Sequence, residues 1–293
     1  NIEIVIADGA SSDNTELIIS KYSLLHNQVK YHKLEKKGGV DNDYNMAVQL
    51  ATGRYCWLFT DDDFLDPFAI ENVVEKIKLK YDLIVVNADV YDKNINKLLY
   101  PNRLKFSKDK IYNKNELNLF FKDAVEHLSF IGCVIIKRDL WLKREKEKYY
   151  GTEFVHVGVI FQELFKNNIC IISRPLIKIR LDNAQWTSRS FQIWLFKWPN
   201  LLSSFKLIIK ENKLKYSTSP SVYRLKKILE HRASNSYNYK VFKNSFLNKN
   251  LPIYWISILY LISIYPSKLL HFLINSYVET KNLIFLKIFD ENQ

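Results

Sequence analysis

Cysteine pairs are absent from this 293-residue sequence: its three cysteines, Cys56, Cys133 and Cys170, lie far apart, each within an apolar run. No CxxC spacing exists to build a zinc or dithiol redox site, so they are expected to be reduced core thiols in a cytoplasmic protein. No Gly-x-x-x-x-Gly-Lys-Ser/Thr loop or Gly-rich basic loop occurs, which counts against triphosphate chemistry of the nucleotidyltransferase kind. Neither an RNA-recognition module nor a zinc finger can be read, and the basic residues are scattered, which counts against a nucleic-acid-binding protein. Internal repeats and low-complexity tracts are missing. So is an uninterrupted apolar stretch of the roughly 20 residues that a membrane-spanning helix needs. The most apolar segment, 253–274, is broken by Pro266, Lys268 and His271. It reads as an interfacial helix pair or as a core helical hairpin. The opening Asn-Ile-Glu-Ile-Val-Ile has no initiator Met, charged leader or cleavage pattern, and reads as the chain starting inside a strand.

What is present suffices for a full core, with 47% hydrophobic residues. The formal charge of +12 favours anionic partners: nucleic acid, anionic lipid or phosphorylated substrates. From residue 1 to 182 short β-rich runs alternate with helical patterns, the signature of an α/β sheet with crossover helices. Strands are expected at 2–7, 29–34, 55–59, 83–91, 130–137 and 169–179, and helices at 14–25, 43–51, 67–80, 115–122 and 154–167. From 183 to 293 aromatic and basic residues dominate, and spacings such as Leu201, Phe205, Ile208 and Ile209 predict an amphipathic helical extension.

Two segments carry chemistry. Residues 4–15, Ile-Val-Ile-Ala-Asp-Gly-Ala-Ser-Ser-Asp-Asn-Thr, read as a buried strand delivering Asp8 at its carboxyl end, followed by a small-residue turn and a capped helix. Ligands of open α/β sheets bind at that edge. A carboxylate there accepts hydrogen bonds from a base N–H or a ribose hydroxyl, while Gly9 lets a ligand approach the backbone. Asp8 and Asp13 serving only as turn and cap residues is the plain alternative. Residues 53–67 form a second such strand, ending in Asp61, Asp62 and Asp63. Like charges so close repel unless a cation neutralises them, and carboxylates plus substrate phosphates suit Mg²⁺ or Mn²⁺. A solvated acidic loop before the helix at Pro67 is the alternative.

Together these segments resemble the family 2 glycosyltransferases. Residues 7–15 are similar to the family's Asp-Asp-Gly-Ser-x-Asp-x-Thr signature, and Thr60-Asp61-Asp62-Asp63 to its DxD region. Gly38-Gly39-Val40, Asn45 and Ala51-Thr52-Gly53 fall where the family has a Gly, an Asn and an Ala-x-Gly. The resemblance covers roughly residues 1–180. It implies a GT-A (nucleotide-diphospho-sugar transferase) fold, with a mostly parallel twisted sheet, flanking helices and the C-terminal helical extension. It implies a nucleotide-sugar donor bound by Asp8, Gly9, Asn45, Asp61 and Asp62, with Asp8 on the base and Asp61 near the ribose and diphosphate. A Mg²⁺ or Mn²⁺ ion would be held by Asp62, with Asp63 as second choice. Ala7 and Thr60 stand where many members carry an acid. The family's first strand and helix have no counterpart, so the chain is expected to be an N-terminally truncated fragment.

Inverting transfer needs a general base to take the acceptor's proton. Family members place it in a Glu-Asp pair opening a late helix. The matching stretch here, residues 150–159, lacks that pair, leaving His156 or Glu153. A structural histidine or a degenerate, non-catalytic domain are the alternatives. The His-Val-Gly-Val and Tyr-Cys-Trp-Leu-Phe-Thr-Asp-Asp-Asp stretches resemble the abequosyltransferase-like branch. That branch implies a CDP-dideoxyhexose donor and a glycan or polyprenyl-diphosphate-linked acceptor in O-antigen synthesis at the inner face of the plasma membrane. The extension's Trp194, Trp198, Lys206, Lys210, Lys226, Lys227 and Trp255 would then make peripheral membrane contact.

Overall fold

The computed structural model describes residues 2–181, 189–216, 222–249, 251–274 and 276. They fall into two compact units, 1–183 with 200–216 and 184–199 with 217–293. In the first unit, β1 (Ile4–Asp8) and β2 (Val29–Lys33) pair in parallel across α1 (Thr15–Leu25). Then come α2 (Val40–Leu50), β3 (Tyr55–Trp57), β4 (Phe64–Leu65), α3 (Ala69–Lys78), β5 (Leu83–Tyr91), β6 (Leu98–Tyr100) and β7 (Lys110–Tyr112). They are followed by α4 (Leu117–Ala124), β8 (Val134–Lys137), α5 (Arg138–Lys143), α6 (Val155–Phe161) and β9 (Ile169–Arg180). The main sheet has the order β3-β8-β5-β9-β4, with β6 beside β5 and β7 beside β9.

The strand β5 is central because Leu83, Ile84, Val85 and Val86 form an unbroken apolar run, buried on both faces. The expected mostly parallel sheet is corrected. Among the described residues only β1–β2 and β5–β9 pair in parallel, and β3–β8, β4–β9, β5–β6, β5–β8 and β7–β9 are antiparallel. Three of these strands, β4, β6 and β7, are two or three residues long and gave no periodicity to read. The two antiparallel neighbours of β8 still leave β3 and β5 pointing the same way, so their carboxyl ends share one edge of the sheet.

Two polar clamps fix the strand ends. Buried Asn87 sits where the β5–β9 register slips; its amide donates to the Leu104 and Ser173 carbonyls and its oxygen accepts from Ala88 and Leu104 N–H. Glu3 accepts from Lys30 Nζ and from the Thr52 and Gly53 N–H groups at 2.5, 2.6 and 2.7 Å, tying the start of β1 to the turn before β3. Burial raises its pKa, but these bonds win and hold it at about 2, against an ordinary 4.5. The cysteines are buried free thiols, as expected for core residues.

Residues 200–216, which the sequence reading assigned to the extension, pack into the first unit. The burial of Leu201, Leu202, Phe205 and Ile208 explains this, as do bonds from Asn118 of α4 to the backbone at Leu207 and Ile209. They carry the end of α8 (Trp198–Ser204, preceded by α7, Ser190–Gln192, and a π turn, Ile193–Lys197) and α9 (Lys210–Lys213). The second unit packs α10 (Val222–Ala233), α11 (Tyr239–Phe246) and α12 (Ile253–Ile264) around Phe191, Leu195, Ile228, Tyr237, Phe242, Phe246 and Leu259.

Replacing Glu3 by Gln is expected to cost about 1–2 kcal/mol at neutral pH, the scale of hydrogen bonds to a charged group. Because the folded pKa is depressed, that stability is present above pH 4.5 and lost as pH falls toward 2. Urea denaturation at pH 7 and pH 3 should therefore separate wild type from Glu3→Gln at the first pH and narrow the gap at the second.

Candidate active site

The helix α2 organises the site, because four of its residues each reach a different element. It starts at Val40, three residues before the expected boundary at residue 43, and is preceded by the N-cap Gly39, whose φ of 87° suits glycine. Asp41, 4% exposed, accepts from Glu153 N–H and Val155 N–H at 2.9 Å each, and so caps the first turn of α6 from outside. Asp43 faces Gly9: a Cβ on Gly9 would meet Asp43 Oδ2 at 2.7 Å, so glycine there makes room for the carboxylate. Tyr44 donates to the Phe59 carbonyl at the end of β3. Burial and the three charges of Asp61, Asp62 and Asp63 push its phenol up. Asn45 donates to Tyr150 Oη at 2.7 Å and accepts from Trp141 Nε1 at 3.0 Å.

Asp8 is 5% exposed and accepts from Ser11 N–H at 2.8 Å and Tyr31 Oη at 2.6 Å. Burial raises its pKa, but these bonds and nearby Lys33 lower it overall, so it is an anion at neutral pH. Asp43 is the reverse: burial and the charge of Asp8 raise its pKa, and its buried Oδ1 has no partner. An orphan acceptor beside Asp8 and a glycine calls for a hydrogen-bond donor, such as a base N–H or a ribose hydroxyl. The sequence reading used Asp43 only to start a helix; its place one turn after a Gly-Gly pair was the available signal.

The acidic run divides. Asp63 Oδ1 accepts from Arg180 N–H at 2.9 Å and Oδ2 from Thr60 Oγ1 at 2.6 Å, fastening the end of β3 to the end of β9. Burial raises the Asp63 pKa, and the charge of Asp62 adds to this. With both oxygens engaged, Asp63 does not fit the expected role of metal ligand. Asp61 and Asp62 have no partner among the described residues, and no cluster of three or more His, Cys, Asp or Glu there could hold a metal alone. An adjacent pair of unengaged carboxylates fits Mg²⁺ or Mn²⁺, which takes one or two carboxylates and draws its other ligands from phosphate and water. Arg180, whose backbone N–H holds Asp63, has its guanidinium 5.3 Å from the Phe64 ring and its buried Nε without a partner.

The two expected bases separate sharply. His156 is 1% exposed; its Nε2 donates to the Leu128 carbonyl at 2.7 Å, and burial holds its pKa down at about 4. It lies inside an α6 whose seven residues are all buried, so it is a neutral core histidine and not an acceptor-facing base. Glu153 is half-buried just before α6, with a φ of 72° that non-glycine residues rarely adopt and that is held by the Asp41 bond. Asn45 is also corrected: both ends of its amide are used within the protein, where it locks α2 to α5 and to Tyr150.

Residues 1–141 match the family described as Glycosyl transferase family 2. Abequosyltransferase RfbV of Salmonella typhimurium is 26% identical over 201 residues, 64% of this chain and 60% of that protein, so the chain spans less than two thirds of that relative. The GalNAc(5)-diNAcBac-PP-undecaprenol beta-1,3-glucosyltransferase of Campylobacter jejuni is 24% identical over 92% of this chain and 86% of that protein. The crystal structure of S. aureus TarS 1-349 in complex with UDP superposes with a TM-score of 0.51 at 14% identity, covering 82% of this chain and 73% of that one; this is a likeness of fold. The GT-A architecture expected from the sequence is thereby met.

Because Asp63 is a structural fastener and Asp61 and Asp62 repel each other, their alanine variants should part in stability. Asp63→Ala is expected to lose about 1–3 kcal/mol from two stranded donors, while Asp61→Ala and Asp62→Ala stay within about 0.5 kcal/mol of wild type. Chemical denaturation of the three variants checks this.

Proposed function

We propose that this chain, whose residues 1–141 match glycosyl transferase family 2, moves a sugar from a nucleotide-diphosphate donor to an acceptor hydroxyl with inversion. The observation that carries this reading is the pair Asp61 and Asp62, unengaged just after β3, with Arg180, whose Nε is unpartnered, held at the adjoining Asp63. The nucleoside would lie beside Asp8, Gly9 and Asp43, where the unpartnered Asp43 Oδ1 awaits a donor. Asp62, with Asp61, would hold a divalent cation that offsets the charge of the diphosphate, and Arg180 would add a fixed cation on the same side. The acceptor hydroxyl attacks the anomeric carbon, the bond to the diphosphate breaks, and the proton passes to Glu153. Similarity to the abequosyltransferase favours a CDP-dideoxyhexose donor, and the undecaprenol-linked relative favours a polyprenyl-diphosphate-linked or related glycan acceptor in surface polysaccharide synthesis.

The second unit supports a site of action on an anionic bilayer, at the cytoplasmic face of the membrane. Its sequence holds twelve Lys and Arg against four Asp and Glu. The packed side of α12 carries Leu259 and Ser263, while its solvent side carries Ile253, Tyr254, Leu261 and Ile264, all at least half exposed. A helix of a water-exposed domain would be polar there. No single described helix is long and apolar enough to cross a membrane; Ile253–Ile264 and Ser267–Ile274 form a pair bent by 95°. Of the tryptophans expected at the interface, Trp198 is instead buried.

Calorimetric titration with CDP, UDP, GDP and dTDP, with and without Mn²⁺, tests the transferase reading. One nucleotide should bind in a metal-dependent way, at least ~10-fold more weakly to Asp62→Ala and unchanged to Glu153→Gln. Absence of binding by all four would overturn it. Vesicles test the membrane reading: cosedimentation is expected with phosphatidylglycerol vesicles at low salt, less with neutral phosphatidylcholine, and should be lost in Leu261→Asp/Ile264→Asp. Protein left in the supernatant with both vesicle types would rule it out.

A further inference from the structure

A polar recess lies in the first unit, and one of its residues, Arg103, feels the charge of Asp63. It is a cavity of about 250 Å³ lined by Arg103, Leu104, Asp123, Glu126 and His127. Arg103 is brought there by its backbone, whose N–H donates to the Ala88 carbonyl in the half of β5 that runs to the same sheet edge as Asp63.

The charges of this recess do not cancel. Asp123 has Lys110 Nζ at 2.8 Å and Tyr112 Oη at 2.7 Å, and Glu126 has Lys215 Nζ at 2.8 Å and Tyr216 Oη at 3.2 Å. Each carboxylate thus has its own cation and its own phenol. The Arg103 guanidinium has neither hydrogen bond nor ion pair among the described residues, and its contact is the Phe130 ring at 5.9 Å. It is partly buried, and burial lowers its pKa against the pull of Asp63. A guanidinium withdrawn from water without a carboxylate is costly and is characteristic of a site whose partner arrives from outside. Its planar fork matches carboxylate or phosphate oxygens.

His127 supplies the complementary group. It is 3% exposed, and its Nε2 lies 2.8 Å from the Val86 carbonyl, which only accepts, so Nε2 carries the proton. Its Nδ1 is then an acceptor, and it has no partner. The recess therefore pairs an unmatched cation with an unmatched acceptor. The matching ligand presents an anionic group with a hydroxyl next to it. The volume is below the roughly 300–1,000 Å³ of drug-sized sites and fits one small unit, not an oligosaccharide.

We propose that this recess is an acceptor subsite for a sugar unit bearing an anionic group, a carboxylate or a phosphate monoester, held by Arg103 with a neighbouring hydroxyl to His127. The assignment as acceptor rests on the transferase reading; the binding of the anion does not.

The test is ligand-observed NMR and titration of the full chain with methyl β-D-glucuronide, glucose 1-phosphate and methyl β-D-glucoside, repeated with saturating nucleoside diphosphate and Mn²⁺. At least one anionic probe should bind at least ~10-fold more tightly than the neutral glucoside. Whichever anionic probe binds names the source, uronate or phosphosugar. Binding should fall by a similar factor in Arg103→Gln, recover in part in Arg103→Lys, and persist with nucleotide present. Equal binding of glucuronide and glucoside by wild type, a comparison that needs no variant, would overturn the proposal. So would displacement of the anionic probe by nucleotide, which would give Arg103 to the donor. Anion binding without any nucleotide binding would keep the recess and remove its role as acceptor site.

Discussion

The buried carboxylate of Asp41 is the constraint on which the rest of the site depends. A charge with 4% exposure needs donors, and the backbone supplies them as the N–H groups of Glu153 and Val155. Two elements 112 residues apart in sequence are thereby held in one geometry. The same bond holds Glu153 in its left-handed conformation, so the strain at the proposed base is balanced by the satisfaction of Asp41. Asn45, one turn further along α2, repeats the connection through Tyr150 and Trp141. Gly158 brings the Tyr149 ring so close to α6 that a Cβ there would lie 2.3 Å from it. The loop before α6 is thus pinned from both sides.

Electrostatics across the sheet follows one pattern. Carboxylates whose oxygens are all engaged build the frame: Asp63 at the carboxyl edge, on the Arg180 and Thr60 donors, and Asp82 at the opposite, amino end of β5, on Lys137 and the Lys166 and Asn167 amides. Groups with open valences, Asp43 Oδ1, Arg180 Nε, Arg103 and the Asp61–Asp62 pair, surround the space that a substrate would enter. Unfilled buried polar atoms are costly, so Asp43 Oδ1 and Arg180 Nε are places where a ligand's own polar groups would be stabilising.

Much of this architecture was legible beforehand. The strand β5 was read at its observed limits because four consecutive β-prone apolar residues leave little ambiguity, and the Asp8 and Asp61–Asp63 segments stood out because acids directly after apolar, β-prone runs are unusual, although β1 itself is only partly buried, with Ile4 53% exposed. What escaped was set by tertiary contacts. His156 looked like a polar residue opening a helix, and only packing showed that all of α6 is interior. Three adjacent aspartates are chemically identical in a string, and only the approach of β9 distinguishes Asp63 from its neighbours. Arg103 and Arg180 carried no local signal, since their importance lies in lacking the partners that other cations have.

The hub role of α2 bears on how this sequence can change. Successive residues of a helix are turned by about 100° from one another, and Asp41, Asp43, Tyr44 and Asn45 use that rotation to serve α6, β1, β3 and α5. Substitution at one of them removes one connection. Insertion or deletion of a single residue between 39 and 46 would misdirect all of them together, so across natural variants this stretch should vary in composition while keeping its length.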